Sequence, residues 1–314
     1  MRIIENLNLE IPGTNTHYFN LSEFSDPTSR ESLYLGYTFL ENQTALYAVE
    51  DQDRTVYLNV TMPTEFCSPQ PTDADKNFDE VWTICPYSVD WLNEISNTEK
   101  YKLAFYPINK SSFPEQSEKK YDVIYHGGLH GEKYVAMLND MRGFNYRYAS
   151  LSHGINGLTQ KNLKHATDLN LSNEEKFKLI SECRISIAHN TFEVRNVNDL
   201  NNIKSRTDWQ KNEAWKHVED LGIVPQFKSR VNEAAASRTL NLVKKDPWNV
   251  IEYYYHPDED FVYYENDEDL KDTIKHILSN WGDYKPIVDN AYNKVVRYTT
   301  DNLVKDIREN KSWK

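Results

Sequence analysis

Cysteine is scarce in this chain: three residues in 314, Cys67, Cys85 and Cys183, far apart and with no C-x-x-C among them. Neither a disulfide framework nor a thiolate zinc site is supported, and buried free thiols are the expectation. A long apolar run is also missing, so no segment approaches the roughly 18 residues that a membrane-spanning helix needs. The start, MRIIENLNLEI, lacks the basic stretch and apolar core of a signal peptide, and the expectation is a soluble, cytoplasmic protein. Positive charge falls short as well. Lys and Arg number 36 against 48 Asp and Glu, a formal charge of −12, which disfavours a long polyanion such as nucleic acid as partner. Any anion site must therefore be local. No internal repeat or low-complexity tract is present.

The length suits two domains rather than one. Up to about residue 115 the chain mixes strand-like and irregular segments. ALYAV (45–49) and TVYLNV (55–60), separated by the polar EDQDR, read as two strands joined tightly. FDEVWTICPYSVDWLNEI reads as a buried strand followed by a helix carrying Trp91, Leu92 and Ile95, and YKLAFYPIN as another strand. KSSFPEQSEKK (110–120) has almost nothing to bury and reads as a linker, which puts the domains at 1–115 and 116–314.

Beyond the linker the pattern is regular. YDVIY, NYRYASL, RISIAHN, TLNLV and FVYYE read as strands, and EKYVAMLNDM, NEEKFKLISEC, NEAWKHVEDLG and FKSRVNEAAAS as helices. Ser172 with Glu175 forms a capping box, and Leu270, Ile274, Ile277 and Leu278 share one helical face. Strands alternating with helices predict a doubly wound parallel sheet covered on both sides.

In such a sheet ligands bind at the carboxyl ends of the strands, and the first strand-to-helix turn is the usual phosphate site. Here that turn is YDVIYHGGLHG, with Gly127, Gly128 and Gly131. Residues without Cβ let the backbone approach a diphosphate, and the helix that follows offers free N–H groups; otherwise the glycines make only a tight turn. The next strand ends without the acidic residue that a nicotinamide cofactor's ribose would need, which lowers the dehydrogenase reading. The second cluster is FKSRVNEAAAS, with Lys228, Arg230 and Glu233. From Pro225 to Asp246 there are five basic residues against two acidic, a local island of +3 suited to a small anion unless it is simply a solvated helix face.

The order Lys228, Arg230, Glu233 and a run of small residues, then DPWNVIEYYYHPDEDFVYYENDEDLKDTIKHIL and VVRYTTDNLV, resembles the carboxyl half of GT-B glycosyltransferases, most of all the group 1 and spore-maturation-protein-like branch. The resemblance covers about residues 78–314. It implies an α/β fold of two Rossmann-like domains facing a cleft, the first on the acceptor side and short, and the second binding a nucleotide-sugar, with the last helix returning to the first. It also implies that Arg230 or Lys228 contacts the donor diphosphate and Glu233 the donor sugar or ribose. The chain departs from many relatives at Ser237-Arg238, where they carry Gly, and at Asn241, where a second Glu is expected; Glu252 is then the candidate for the ribose. His130 in the glycine loop and His189 at the end of RISIAHN are candidates to donate to a phosphate or hydroxyl, as is His153. His17 in PGTNTHYFN is the candidate catalytic base.

The function implied is transfer of a sugar, hexose or pentose, from a nucleotide-sugar to a glycan, lipid-linked or protein acceptor. No bound metal or other cofactor is needed, because basic side chains and helix termini meet the charge of the leaving diphosphate. The rival readings are a metal-dependent GT-A-like transferase that uses Asp51 and Asp53 as a D-x-D pair, and a binding module without turnover.

Overall fold

The computed structural model describes residues 1–5, 21–36, 52–59, 78–129, 131–151, 157–193 and 221–313. The chain divides into two units: one comprises Met1–Pro107, Thr191–Phe227 and Thr300–Lys314, the other Ile108–Asn190 and Lys228–Thr299. The passage between them thus falls at 107–108, ahead of 115. The stretch 191–227 belongs with the first unit, as does the final segment.

In the first unit β1 (Arg2–Glu5), β2 (Glu31–Gly36), β3 (Arg54–Asn59), β4 (Glu80–Thr83) and β5 (Tyr101–Leu103) form a sheet in that order, every pair parallel. The hairpin read from TVYLNV is not made by β3: β2 and β4 occupy both its edges in parallel, leaving none for an antiparallel partner. Residues 45–49 lie outside the described ones. Helix α1 (Pro86–Ser96) starts with Pro at its first position and stops at Asn97, whose φ of 52° is tolerated by its short polar side chain. Leu92 and Val89 of α1 pack with Val81 and Tyr57 of the sheet and with Phe78 just ahead of β4.

The second unit carries the regular alternation. In chain order it contains β6 (Tyr121–His126), α2 (Glu132–Met141), β7 (Tyr146–Ser150), α3 (Gly157–Leu163), β8 (Asp168–Leu169), α4 (Asn173–Ser181) and β9 (Cys183–Ala188). The chain then returns to the first unit as an antiparallel pair, β10 (Thr191–Glu193) and β11 (Ile223–Pro225). It comes back as α5 (Ser229–Ala236), β12 (Leu240–Lys244), β13 (Val262–Tyr264), α6 (Leu270–Ser279) and α7 (Trp281–Val295), and ends with α8 (Thr300–Arg308) in the first unit. The capping box of α4 has both halves: the Glu175 N–H donates to Ser172 Oγ, and the Ser172 N–H to Glu175 Oε2.

The six strands of this unit run β13-β12-β9-β6-β7-β8, all parallel. Numbered within the unit, that is the order 3-2-1-4-5-6 of a doubly wound sheet, and the order reverses between β6 and β9. Strand alternation sorts the residues by face. Val123, Tyr125, Ile185 and Ile187 pack with α2 and α6, whereas Ile124 packs with Leu179 and Ile180 of α4 and Ala234 of α5. His126 and Ser186 therefore fall on the α4–α5 face. The segment 110–120 is anchored to this unit rather than loose: the Lys119 ammonium donates to the carbonyls of Ser181 (2.9 Å) and Arg238 (2.6 Å), and Ser181 Oγ donates to Ser117 Oγ (2.8 Å). Burial lowers the Lys119 pKa to about 8. No helix among the described residues is long and apolar enough to cross a membrane.

Candidate functional site

The reversal of strand order places the ends of β6 and β9 side by side, and α5 begins over them. Gly127 follows β6 with φ +98°, a conformation that glycine adopts freely. Its N–H donates to Ala149 O, and a Cβ built there would lie 3.1 Å from Arg230 Nη2. Gly131, φ +144°, opens α2. Arg230, in the first turn of α5 and 6% exposed, lays its guanidinium 4.3 Å from the Tyr125 ring centroid and donates from Nη2 to Gly128 O at 3.3 Å. The Tyr125 hydroxyl donates to the same carbonyl. The glycine bend and Arg230 are thus brought together.

Glu233, one turn further along α5, is buried. Its Oε2 lies 3.0 Å from His126 Nδ1 and 3.1 Å from Lys176 Nζ of α4. Burial alone would raise this carboxyl, but Lys176 and the His126 donor outweigh it and hold the group well below the usual carboxylate range. Burial lowers the His126 pKa, beyond what Glu233 restores. Its Nε2 lies 3.1 Å from Ser186 Oγ on β9.

At the end of β9, His189 stacks on Tyr134 (3.9 Å, 11°) and on Tyr125 (5.8 Å, 10°). Asn190 Oδ1 accepts from the N–H of Lys228, the residue that precedes α5. Among the described residues, Arg230 Nη1, Glu233 Oε1 and Asn190 Nδ2 are buried and find no hydrogen-bond partner. Such an atom costs about 1–3 kcal/mol. Two donors and one acceptor left unmatched around one strand switch suit a ligand with both anionic oxygens and hydroxyls.

Not every expected residue joins the cluster. Glu252 sits in the turn Val250–Tyr253, exposed, and accepts from the Tyr263 hydroxyl at 2.9 Å; among the described residues no contact ties it to Arg230 or Glu233. The basic island is smaller than its sequence count. Arg238 pairs with Asp289, Lys244 with Asp267 and Lys245 with Glu265, acids from distant parts of the chain that the local count omits. Asp53 pairs with Arg30. His17, His130, His153 and Asp51 lie outside the described residues. Sequence reasoning passed over His126, Lys176, Ser186 and Asn190. His126 stands directly before Gly127, and its place on the α4–α5 face follows from strand alternation; Lys176 reads as one more surface lysine until α4 is packed beside α5.

No family model and no curated protein matches the chain. Solved structures do match. TarM of S. aureus, in complex with fondaparinux, α-GlcNAc-glycerol and UDP, aligns over 90% of this chain with a TM-score of 0.56 and 8% identity; the chain spans 55% of its length. Sucrose-phosphate synthase from Thermosynechococcus elongatus aligns over 89% of this chain and 72% of its own, with TM-score 0.57 and 11% identity. Anabaena HepE in complex with UDP-glucose aligns over 88% and 78%, with TM-score 0.57 and 10% identity. These proteins are GT-B glycosyltransferases, and the likeness gives this chain the GT-B fold, built from Rossmann-like units of parallel sheet.

Proposed function

We propose that the protein is a glycosyltransferase that moves a sugar from a nucleoside diphosphate-sugar to an acceptor hydroxyl, with the donor held at the carboxyl edge of the second unit's sheet. The bond between the anomeric carbon and the diphosphate breaks, a bond to the acceptor oxygen forms, and the acceptor's proton is released. The observation that supports this most is the meeting of Arg230 with the Gly127-Gly128 bend beside the unmatched atoms of Arg230, Glu233 and Asn190.

Arg230, joined by Lys228, neutralises charge that grows on the diphosphate as the sugar leaves, a preorganised form of stabilisation that needs no bound metal. To reach the phosphate, the guanidinium exchanges its 3.3 Å bond to Gly128 O for a charge-assisted one. Glu233, kept ionised, accepts from a hydroxyl of the ribose or of the sugar. UDP is the first nucleotide to try, because the TarM and HepE structures carry UDP and UDP-glucose.

The test is calorimetric titration of UDP, GDP and ADP into wild type and Arg230→Ala. Removing the charge-assisted hydrogen bond should weaken binding roughly ten- to a hundredfold, about 1.5–3 kcal/mol. Equal affinity in the two proteins, or no binding by wild type, would contradict the proposal. Turnover of the matching nucleotide-sugar that persists in EDTA would support metal independence, and tight binding without any turnover would favour a binding module.

A further inference from the structure

Glu233 uses its two carboxylate oxygens unequally. Oε2 meets donors from two different elements, His126 Nδ1 at the end of β6 (3.0 Å) and Lys176 Nζ on α4 (3.1 Å), while Oε1 is buried and finds no partner among the described residues. An ionised carboxylate only accepts, so the His126 proton sits on Nδ1. The ring is fixed from its far side by Ser186, whose Oγ lies within hydrogen-bond distance of Nε2 at 3.1 Å. His126 and Ser186 are 1% and 0% exposed, and nothing polar from solvent competes for these contacts. Two anchors on one oxygen stop the carboxylate from rotating, which aims the other oxygen in one direction. The diphosphate of a nucleotide-sugar is fully ionised at neutral pH, carries only acceptors and would be repelled there; the complement of a lone carboxylate oxygen is a hydroxyl donor.

We propose that His126 and Lys176, with Ser186 behind the histidine, are positioning residues that lock one oxygen of Glu233 so that the other receives a sugar-ring hydroxyl of the donor. This rests on the glycosyltransferase reading above. The hydroxyl belongs either to the ribose or to the transferred sugar, and binding measurements separate the two. Arg230 lies three residues before Glu233 on the same face of α5, so the anion-binding donor and the hydroxyl-binding acceptor are adjacent groups served by different partners. Loss of the lock should therefore affect hydroxyl recognition and spare the diphosphate.

The experiment titrates UDP, 2′,3′-dideoxy-UDP, UDP-glucose and inorganic pyrophosphate into wild type, His126→Ala, His126→Asn and Lys176→Met. In His126→Asn the side-chain amide nitrogen stands where imidazole Nδ1 stood. For His126→Ala and Lys176→Met the expected result is about a tenfold loss of affinity for the hydroxyl-bearing ligand, with pyrophosphate unchanged within about twofold and most of the loss recovered in His126→Asn. A preference of UDP over its dideoxy analogue that collapses in His126→Ala assigns the hydroxyl to ribose; a preference of UDP-glucose over UDP that collapses assigns it to the sugar. If neither preference changes, or if pyrophosphate is lost in the same proportion as the nucleotides in both His126 variants, the inference is overturned. A wild type that binds neither pyrophosphate nor UDP, GDP or ADP overturns the glycosyltransferase reading itself, whereas wild-type binding with unaltered variants overturns the positioning role alone.

Discussion

Replacing Lys176 by Met removes one of the two donors to a buried carboxylate and keeps the aliphatic bulk of the side chain. Breaking a buried ion pair from one side costs about 3–5 kcal/mol, because the remaining charge is left without compensation. Two features reduce the figure here: the His126 N–H still faces Glu233 Oε2, and the Lys176 side chain is 14% exposed. About 2–3 kcal/mol is then expected at pH 7.5, a fall in melting temperature of roughly 4–12 °C for a unit of this size. The double variant Lys176→Met with Glu233→Gln should regain much of that loss, since an amide carries no charge to strand and keeps an oxygen for the His126 donor. Acidification should shrink the difference, because without Lys176 burial pushes the carboxyl upward, and protonation relieves the cost of burying its charge. Thermal unfolding followed by circular dichroism at pH 7.5 and pH 4.5 reads all three values. A shift below about 1 °C, or a double variant no more stable than the single one, would refute the claim that Lys176 keeps Glu233 ionised inside the fold.

Gly127→Ala forces a side chain into φ +98° and against the Arg230 guanidinium, so a stability loss of about 1–3 kcal/mol and weakened nucleotide binding should appear together in melting and titration. Glu233 has a depressed pKa in the fold; the stability it contributes is present above the unfolded value and lost as pH falls through the folded one. His126, also depressed, adds an acid loss that starts below the unfolded histidine value, so stability should decline from about pH 6.5 downward, and Glu233→Gln should flatten the acid end of that curve. Asp246 behaves oppositely: burial raises its carboxyl to about 6, even though the N–H groups of Trp248 and Asn249 donate to it. Its ionisation therefore opposes folding as pH rises from about 4 to 6, and Asp246→Asn should gain about 1–3 kcal/mol over wild type at pH 7.5 and nothing at pH 3.5, measured by urea unfolding.

The alternation of strands and helices after residue 120 made the second unit readable from the sequence, because a parallel sheet buried on both faces leaves apolar strands between amphipathic helices. Leu270, Ile274 and Ile277 mark their face of α6 in the sequence and are buried in the structure. The glycine bend and Arg230 could each be found, since backbone conformation and a basic residue at a helix start are local signals. What the sequence did not display is pairing across elements. Lys176 meets Glu233 only when α4 and α5 are laid on one face, and the same long-range pairing neutralises Arg238, Lys244 and Lys245. TVYLNV misled in the first unit because a strand's own residues do not state whether its neighbours run parallel or antiparallel. The segment 110–120 misled through composition: it is anchored by a lysine ammonium held between two carbonyls, a group that in the sequence reads as solvent-exposed charge.

The most direct measurement is a crystal structure of the full chain grown with UDP and, in parallel, with UDP-glucose. Density is expected for a diphosphate against the Arg230 guanidinium and the Gly127-Gly128 backbone, with a ring hydroxyl within hydrogen-bond distance of Glu233 Oε1. A nucleotide bound elsewhere, with Arg230 still on the Gly128 carbonyl and Glu233 Oε1 still unmatched, would contradict it.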